Sequence, residues 1–176
     1  YAYHRPHPWH GLRPGREAPD KVNVFVEMTP FDVVKYEIDK ETGFIHVDRP
    51  QRTTAQMHCL YGFIPQPYCA EKVCRLSPNA TVGDGDALDI CVLSERPVNR
   101  AEITLRAWVV GGLKMVDKGE ADDKIVAILE GDFVHGHIRD IDDLPSIAIE
   151  RIQHYFQTYK MTPGNTDVVA GLEPYG

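Results

Sequence analysis

The run Asp84-Gly85-Asp86-Ala87-Leu88-Asp89-Ile90-Cys91-Val92-Leu93 places three carboxylates within six residues. Asp84 and Asp86 flank Gly85 in a turn-like setting. Asp89 stands in a strand-like stretch, where alternation sends Leu88, Ile90 and Val92 one way and Asp89, Cys91 and Leu93 the other. Both faces are apolar apart from Asp89, so the strand reads as buried. A lone buried carboxylate is costly unless it is paired or holds a cation. Oxygen donors grouped in this way suit a hard divalent cation, but the further ligands and distal Glu of an EF-hand loop are missing. A second acidic group, Asp117, Glu120, Asp122 and Asp123, precedes the strand-like residues 125–129. By itself it also reads as a solvated loop. In Lys35-Tyr36-Glu37-Ile38-Asp39, alternation puts Lys35, Glu37 and Asp39 on one face. Taken alone, that face reads more readily as an ordinary solvent face.

Basic and phenolic groups accompany the acids: Arg49, Tyr61, Lys124, and Tyr159 with Lys160. Arginine recognises oxygen pairs, lysine supplies a point charge and tyrosine a neutral donor, so the set suits a polyanion. Lys160 also has a local reason to stand at a helix C-terminus.

Positioning these groups calls for a β-rich body. Val22, Val24 and Val26 alternate with polar or aromatic neighbours. Residues 33–39 and 44–49 read as a hairpin around Lys40-Glu41-Thr42-Gly43. Further strands are expected at 88–93, 103–110 and 124–129. Short strands between turn signals suggest a closed antiparallel barrel. Ile147, Ala148, Ile152, Tyr155, Phe156 and Tyr159 recur at helical spacing. Asp143 is the expected cap, Pro145 an early helical residue, and Met161-Thr162-Pro163-Gly164 the stop. Residues 1–18 read as an irregular arm lying on the body or on a partner subunit. Its His4, His7 and His10 recur every third residue, but Pro6, Pro8 and Pro14 exclude a regular helix. One domain over residues 1–176 is expected.

Hydrophobic residues at 43% and charged residues at 26% argue against wholesale disorder. Nineteen basic and 26 acidic residues give a formal charge of −7, which disfavours binding to nucleic acid. An anionic substrate meets the same objection unless cations on the carboxylates reverse the local sign. No apolar run is long enough for a membrane span, and the first residues lack the apolar stretch of a signal peptide. Cys59, Cys69, Cys74 and Cys91 include no C-x-x-C pair and read as reduced thiols of a cytoplasmic protein. Cys69 and Cys74 lack the second Cys/His pair of a zinc site.

In these motifs the chain resembles the bacterial-type (family I) soluble inorganic pyrophosphatases, from about residue 24 to residue 160. The D-x-D-x-x-D signature is met by Asp84, Asp86 and Asp89. Lys35-Tyr36-Glu37-Ile38-Asp39-Lys40, Val47-Asp48-Arg49 and Tyr61-Gly62 also match. So do Gly112-Leu113-Lys114-Met115 with Asp117, Asp122 and Lys124, and His154-Tyr155-Phe156 with Tyr159-Lys160. The resemblance implies a mainly β fold with α: an OB-like five-stranded antiparallel barrel with one or two packed helices. Mg²⁺ would sit in the barrel mouth, with Mn²⁺ or Zn²⁺ as substitutes. It implies Asp84, Asp89 and Asp122 as ligands of a first metal, with Asp89 bridging to a second. Asp117 and Asp122 would hold a metal arriving with substrate, and Glu37 another. Asp86 resembles the general base. Arg49, Tyr159 and Lys160 would hold one phosphoryl group of pyrophosphate, and Lys35, Tyr61 and Lys124 the other. Glu27 matches an acidic residue at the edge of the site. A homo-oligomer, a hexamer first, is implied too. Ala87, Met57, Lys118, the arm and the longer loop 68–82 depart from the pattern, and bear on loop contacts and oligomer geometry.

Two other classes compete. A non-catalytic OB-fold module would bind an oligonucleotide in a salt-dependent way. A Ca²⁺-binding module would explain the acids but leave Arg49, Tyr61, Lys124, Tyr159 and Lys160 without a role.

Overall fold

The computed structural model describes residues 5–65, 88–117, 120–162, 164 and 170–176. Nine strands are described: β1 (Lys21–Met28), β2 (Val34–Ile38), β3 (Ile45–Pro50), β4 (Leu60–Phe63), β5 (Asp89–Leu93), β6 (Thr104–Asp117), β7 (Glu120–Ala121), β8 (Lys124–Leu129) and β9 (Ala170–Tyr175). A 3₁₀ turn, Ile141–Asp143, precedes helix α1 (Ser146–Thr158).

Strands pair in the order β1-β4-β5-β8-β6, and β6 returns to β1, so five strands close a barrel. The β5–β8 seam is parallel, where sequence alternation suggested an all-antiparallel barrel. Parity explains it: directions cannot alternate around an odd ring, so one seam must be parallel. β6 runs on past the expected end at Val110, because the register shifts between Val109 and Gly111 and the strand continues. β7 and β9 pair with its far half.

Period-2 alternation sorts the barrel residues into two environments. Val22, Val24, Val26, Leu60, Ile90, Val92, Ala107, Ile125 and Ala127 fill the interior. Cys91, Val110, Leu113, Val126 and Ile128 turn outward and are covered by Ile149, Ile152, Tyr155 and Phe156 of α1. β5 is therefore buried on both faces, as its sequence suggested, and Asp89 lies on the face that looks toward α1.

The helix lies where its apolar period placed it, but its start differs. Pro145 stands at the N-cap without a side-chain bond, and Asp140 instead caps the 3₁₀ turn by accepting the N–H of Asp142. Asp143 is itself the last residue of that turn, so Pro145 and not Asp143 takes the cap position of the helix. The hairpin β2–β3 forms its own two-stranded sheet. It docks on the barrel through Ile38 and Ile45 against Phe25 and Phe63.

Candidate active site

A cleft of about 210 Å³ opens between the outer wall of β4, β5 and β8, the hairpin, and the C-terminal end of α1. Its lining includes Lys35, Arg49, Tyr61, Asp89, Asp122, Lys124, Tyr159 and Lys160. These eight are among the residues expected from the sequence. They meet on the outside of the barrel wall, not in its mouth, because alternation turns their neighbours Leu60, Ile90 and Ile125 into the interior. The cleft falls below the roughly 300 Å³ at which drug-sized ligand sites begin. It fits a small anion.

Register fixes the centre of the cleft. On the parallel seam Ile90 stands opposite Ile125, which sets Asp89 beside Lys124. Lys124 Nζ donates to Asp89 Oδ2 at 2.6 Å and also to Asp122 Oδ1. The Tyr61 hydroxyl donates to the same Asp89 Oδ2 at 2.6 Å. The neighbouring Gly62 lets β4 approach β1; a Cβ there would lie 1.9 Å from the Phe25 carbonyl oxygen. Lys124 is 2% exposed. Burial works against its charge, but Asp89 and Asp122 outweigh it and hold the ammonium above the ordinary lysine pKa. Burial, with Asp89 adding to it, pushes the Tyr61 phenol well above its usual value, so Tyr61 is a neutral donor.

The hairpin brings a second group. Lys35 Nζ lies 3.0 Å from Asp48 Oδ2 and 3.3 Å from Glu37 Oε2. Arg49 also pairs with Asp48. Burial opposes the Lys35 charge, and the bond to Asp48 with the Glu37 charge raises its pKa nonetheless. Burial likewise tends to raise Asp48, yet Lys35 and Arg49 hold its carboxyl below the ordinary range. Strict alternation would turn Asp48 away from Arg49. The register shift between Lys35 and Tyr36, which stand opposite Arg49 and Val47, leaves Asp48 as the extra residue and brings it round.

The helix end supplies the third wall. Tyr155 and Tyr159 stack at 5.3 Å, Phe156 meets Tyr159 edge-on at 5.9 Å, and Lys160 Nζ lies 5.2 Å from the Tyr159 ring. Tyr155 packs in the core, as its helical period suggests, and also lines the cleft, where it accepts a hydrogen bond from Gln51 Nε2 at 3.1 Å. Its phenol is pushed up to about 12 by burial. Met57 also lines the cleft, so that departure from the family pattern touches the site itself.

Other expected residues stand differently. Glu37 is beside Lys35 but does not line the cleft. Asp39 stays in the hairpin turn, accepting the Glu41 N–H and the Thr42 hydroxyl. Glu27 is buried below the hairpin, where one oxygen accepts the Ile38 N–H at 2.8 Å. Burial raises its pKa to about 8. Asp84 and Asp86 lie outside the described residues, as do Cys69, Cys74 and the side chain of Asp117. Cys59 and Cys91 are buried free thiols, and the bond to Cys59 together with burial pushes the Cys91 thiol up.

Among the described residues, no three His, Cys, Asp or Glu side chains group closely enough to hold a metal ion. The donors the cleft does offer, Asp89 and Asp122, are oxygens only, converge on one cation, and so fit a hard divalent ion. Among the described residues, no helix is long and apolar enough to cross a membrane.

The chain as a whole is similar to known proteins in sequence and in fold. The family model described as inorganic pyrophosphatase matches residues 24–174. An inorganic pyrophosphatase of Chlamydia muridarum is 46% identical over 162 residues, covering 89% of this chain and 78% of that protein. A soluble inorganic pyrophosphatase of Zea mays is 38% identical, covering 96% of this chain and 72% of its own. The crystal structure of the Thermus thermophilus inorganic pyrophosphatase superposes with a TM-score of 0.77 at 30% identity, covering 97% of this chain and 88% of that one. The chain belongs to the bacterial-type (family I) inorganic pyrophosphatases.

Proposed function

We infer that this chain is an inorganic pyrophosphatase: a divalent-metal-dependent hydrolase that cleaves pyrophosphate to two phosphates. The observation that carries the reading is the convergence of Lys35, Arg49, Lys124 and Lys160 with Asp89 and Asp122 on one small cleft. A Ca²⁺ module has no use for those cations.

The residue roles are proposals. Arg49, Tyr159 and Lys160 hold one phosphoryl group, while Lys35, Tyr61 and Lys124 hold the other. Arg49 gives a planar pair of donors and the lysines give point charges. Tyr61 stays protonated and donates. Asp86 accepts the proton of the attacking water. Asp84, Asp89 and Asp122 hold the metal, with Asp117 and Glu37 as further ligands. Mg²⁺ is the first choice, with Mn²⁺ or Zn²⁺ as substitutes. Such a cation lowers the pKa of a bound water and offsets phosphate charge. The protein contribution is otherwise positioning and electrostatics, which dominate phosphoryl transfer. One domain over residues 1–176, a cytoplasmic location and a homo-oligomer, a hexamer first, complete the proposal.

Phosphate release from pyrophosphate, with Mg²⁺ and again with excess chelator, tests it. Rapid release abolished by the chelator supports the reading. No release from folded protein with Mg²⁺, Mn²⁺ or Zn²⁺ refutes it.

A further inference from the structure

The hairpin β2–β3 carries Lys35 and Arg49 into the cleft, yet it is not hydrogen-bonded into the barrel sheet. A two-stranded hairpin alone is marginal in water, so its placement depends on what packs against it. One tie lies beside the cleft, where Gln51 follows β3 and donates to the Tyr155 hydroxyl. A second is the buried bond from the Ile38 N–H to Glu27. The turn at the far end, around Gly43, is about 20 Å from Arg49 at the usual strand rise.

The segment before β1 holds that far end. It is anchored to the barrel at Asn23, whose N–H donates to Pro14 at 2.6 Å and whose side chain donates to Arg13 at 2.9 Å. From there Trp9 and Leu12 join Ile38, Ile45, Phe25 and Phe63 in one apolar cluster. The Trp9 ring lies 5.0 Å from Phe63 of the barrel, and Lys40 Nζ from the hairpin lies 4.6 Å over the same ring. The indole therefore bridges barrel and hairpin.

His7 fixes the turn itself. Its Nδ1 accepts the N–H groups of Trp9 at 3.1 Å and His10 at 3.3 Å. Its Nε2 is buried with no hydrogen-bond partner among the described residues. The ring is thus placed for packing and not for ligation. It packs under Gly43: a Cβ there would lie 2.7 Å from His7 Cδ2, and Gly43 has φ of +76°. Only glycine satisfies both the backbone and the contact.

We propose that Trp9 and His7 are positioning residues for catalysis: the segment they belong to fixes the tilt of the hairpin and so the placement of Lys35 and Arg49. A displacement of about 1 Å at substrate-holding groups is enough to cost a large factor in rate or binding. The inference rests on the pyrophosphatase reading.

Steady-state hydrolysis of pyrophosphate at fixed saturating Mg²⁺ tests it, with circular dichroism confirming the fold of each variant. Trp9→Ala is expected to raise KM about tenfold while kcat falls less. Trp9→Phe, which keeps an aromatic bridge, is expected near wild type. Unchanged KM in folded Trp9→Ala, or a lower kcat at unchanged KM, overturns the proposal, because fewer active molecules lower kcat alone. Should Trp9→Ala not fold, His7→Ala decides: a raised KM supports the proposal and an unchanged one overturns it. Wild-type protein without phosphate release would instead remove the functional reading itself.

Discussion

Lys124 and Asp89 meet at 2.6 Å across the parallel seam of the barrel, and the oxygen they share also accepts the Tyr61 hydroxyl. Three strands thus converge on one carboxylate oxygen. The buried ammonium holds Asp89 and Asp122 together, and each of these groups is expected to matter in a different measurement.

Lys124→Met keeps the apolar stem and removes the charge. The two carboxylates then lose the ammonium they share. Their side chains are 30% and 40% exposed, so the penalty is smaller than for a fully buried pair. The expected loss of stability is about 1–3 kcal/mol. Urea unfolding checks it, and a variant as stable as wild type would show that the pair contributes nothing.

Tyr61→Phe removes one donor to Asp89 and leaves the ring, which lies 6.2 Å from Phe156. Stability should change by about 1 kcal/mol or less. Activity should fall by at least about tenfold, as befits a hydrogen bond to substrate or to its ligand. The deficit should be constant between pH 6 and 9, since the raised phenol does not ionise there. A deficit that grows with pH would mean that a phenolate takes part.

Glu27 couples stability to pH in a known direction. Its folded pKa, about 8, lies above the ordinary 4.5. Between those values the folded state retains a proton that the unfolded state has lost, so this group lowers stability as pH rises and has its full effect above 8. Glu27→Gln keeps an acceptor for the Ile38 N–H and removes the titration. The difference in stability between variant and wild type should therefore move in favour of the variant from pH 5 to pH 8. Denaturant melts at the two pH values check this, and parallel curves would show Glu27 to be ionised throughout.

Much of the site was legible because period-2 alternation is a local property. Asp89 stood out as the charged residue of a strand apolar on both sides, and the fold puts it on the helix-facing wall. What alternation could not reveal was what breaks it. Asp48 reaches Lys35 and Arg49 only through the irregular register of β3. β6 continues through Gly111-Gly112, past its expected end at Val110, because a bulge absorbs the irregularity. β4 has only four residues, too few to show a period, and was visible only through Tyr61-Gly62. Tyr155 fits the apolar stripe of α1, and nothing local marks the bond to Gln51, 104 residues away.

The most direct measurement is phosphate release by Asp89→Asn beside wild type, at equal concentrations of folded protein with saturating Mg²⁺. The carboxylate should be indispensable: turnover should fall by about 100-fold or more while the far-ultraviolet circular dichroism stays unchanged. A folded Asp89→Asn protein with wild-type turnover would contradict the assignment of this cleft as the active site.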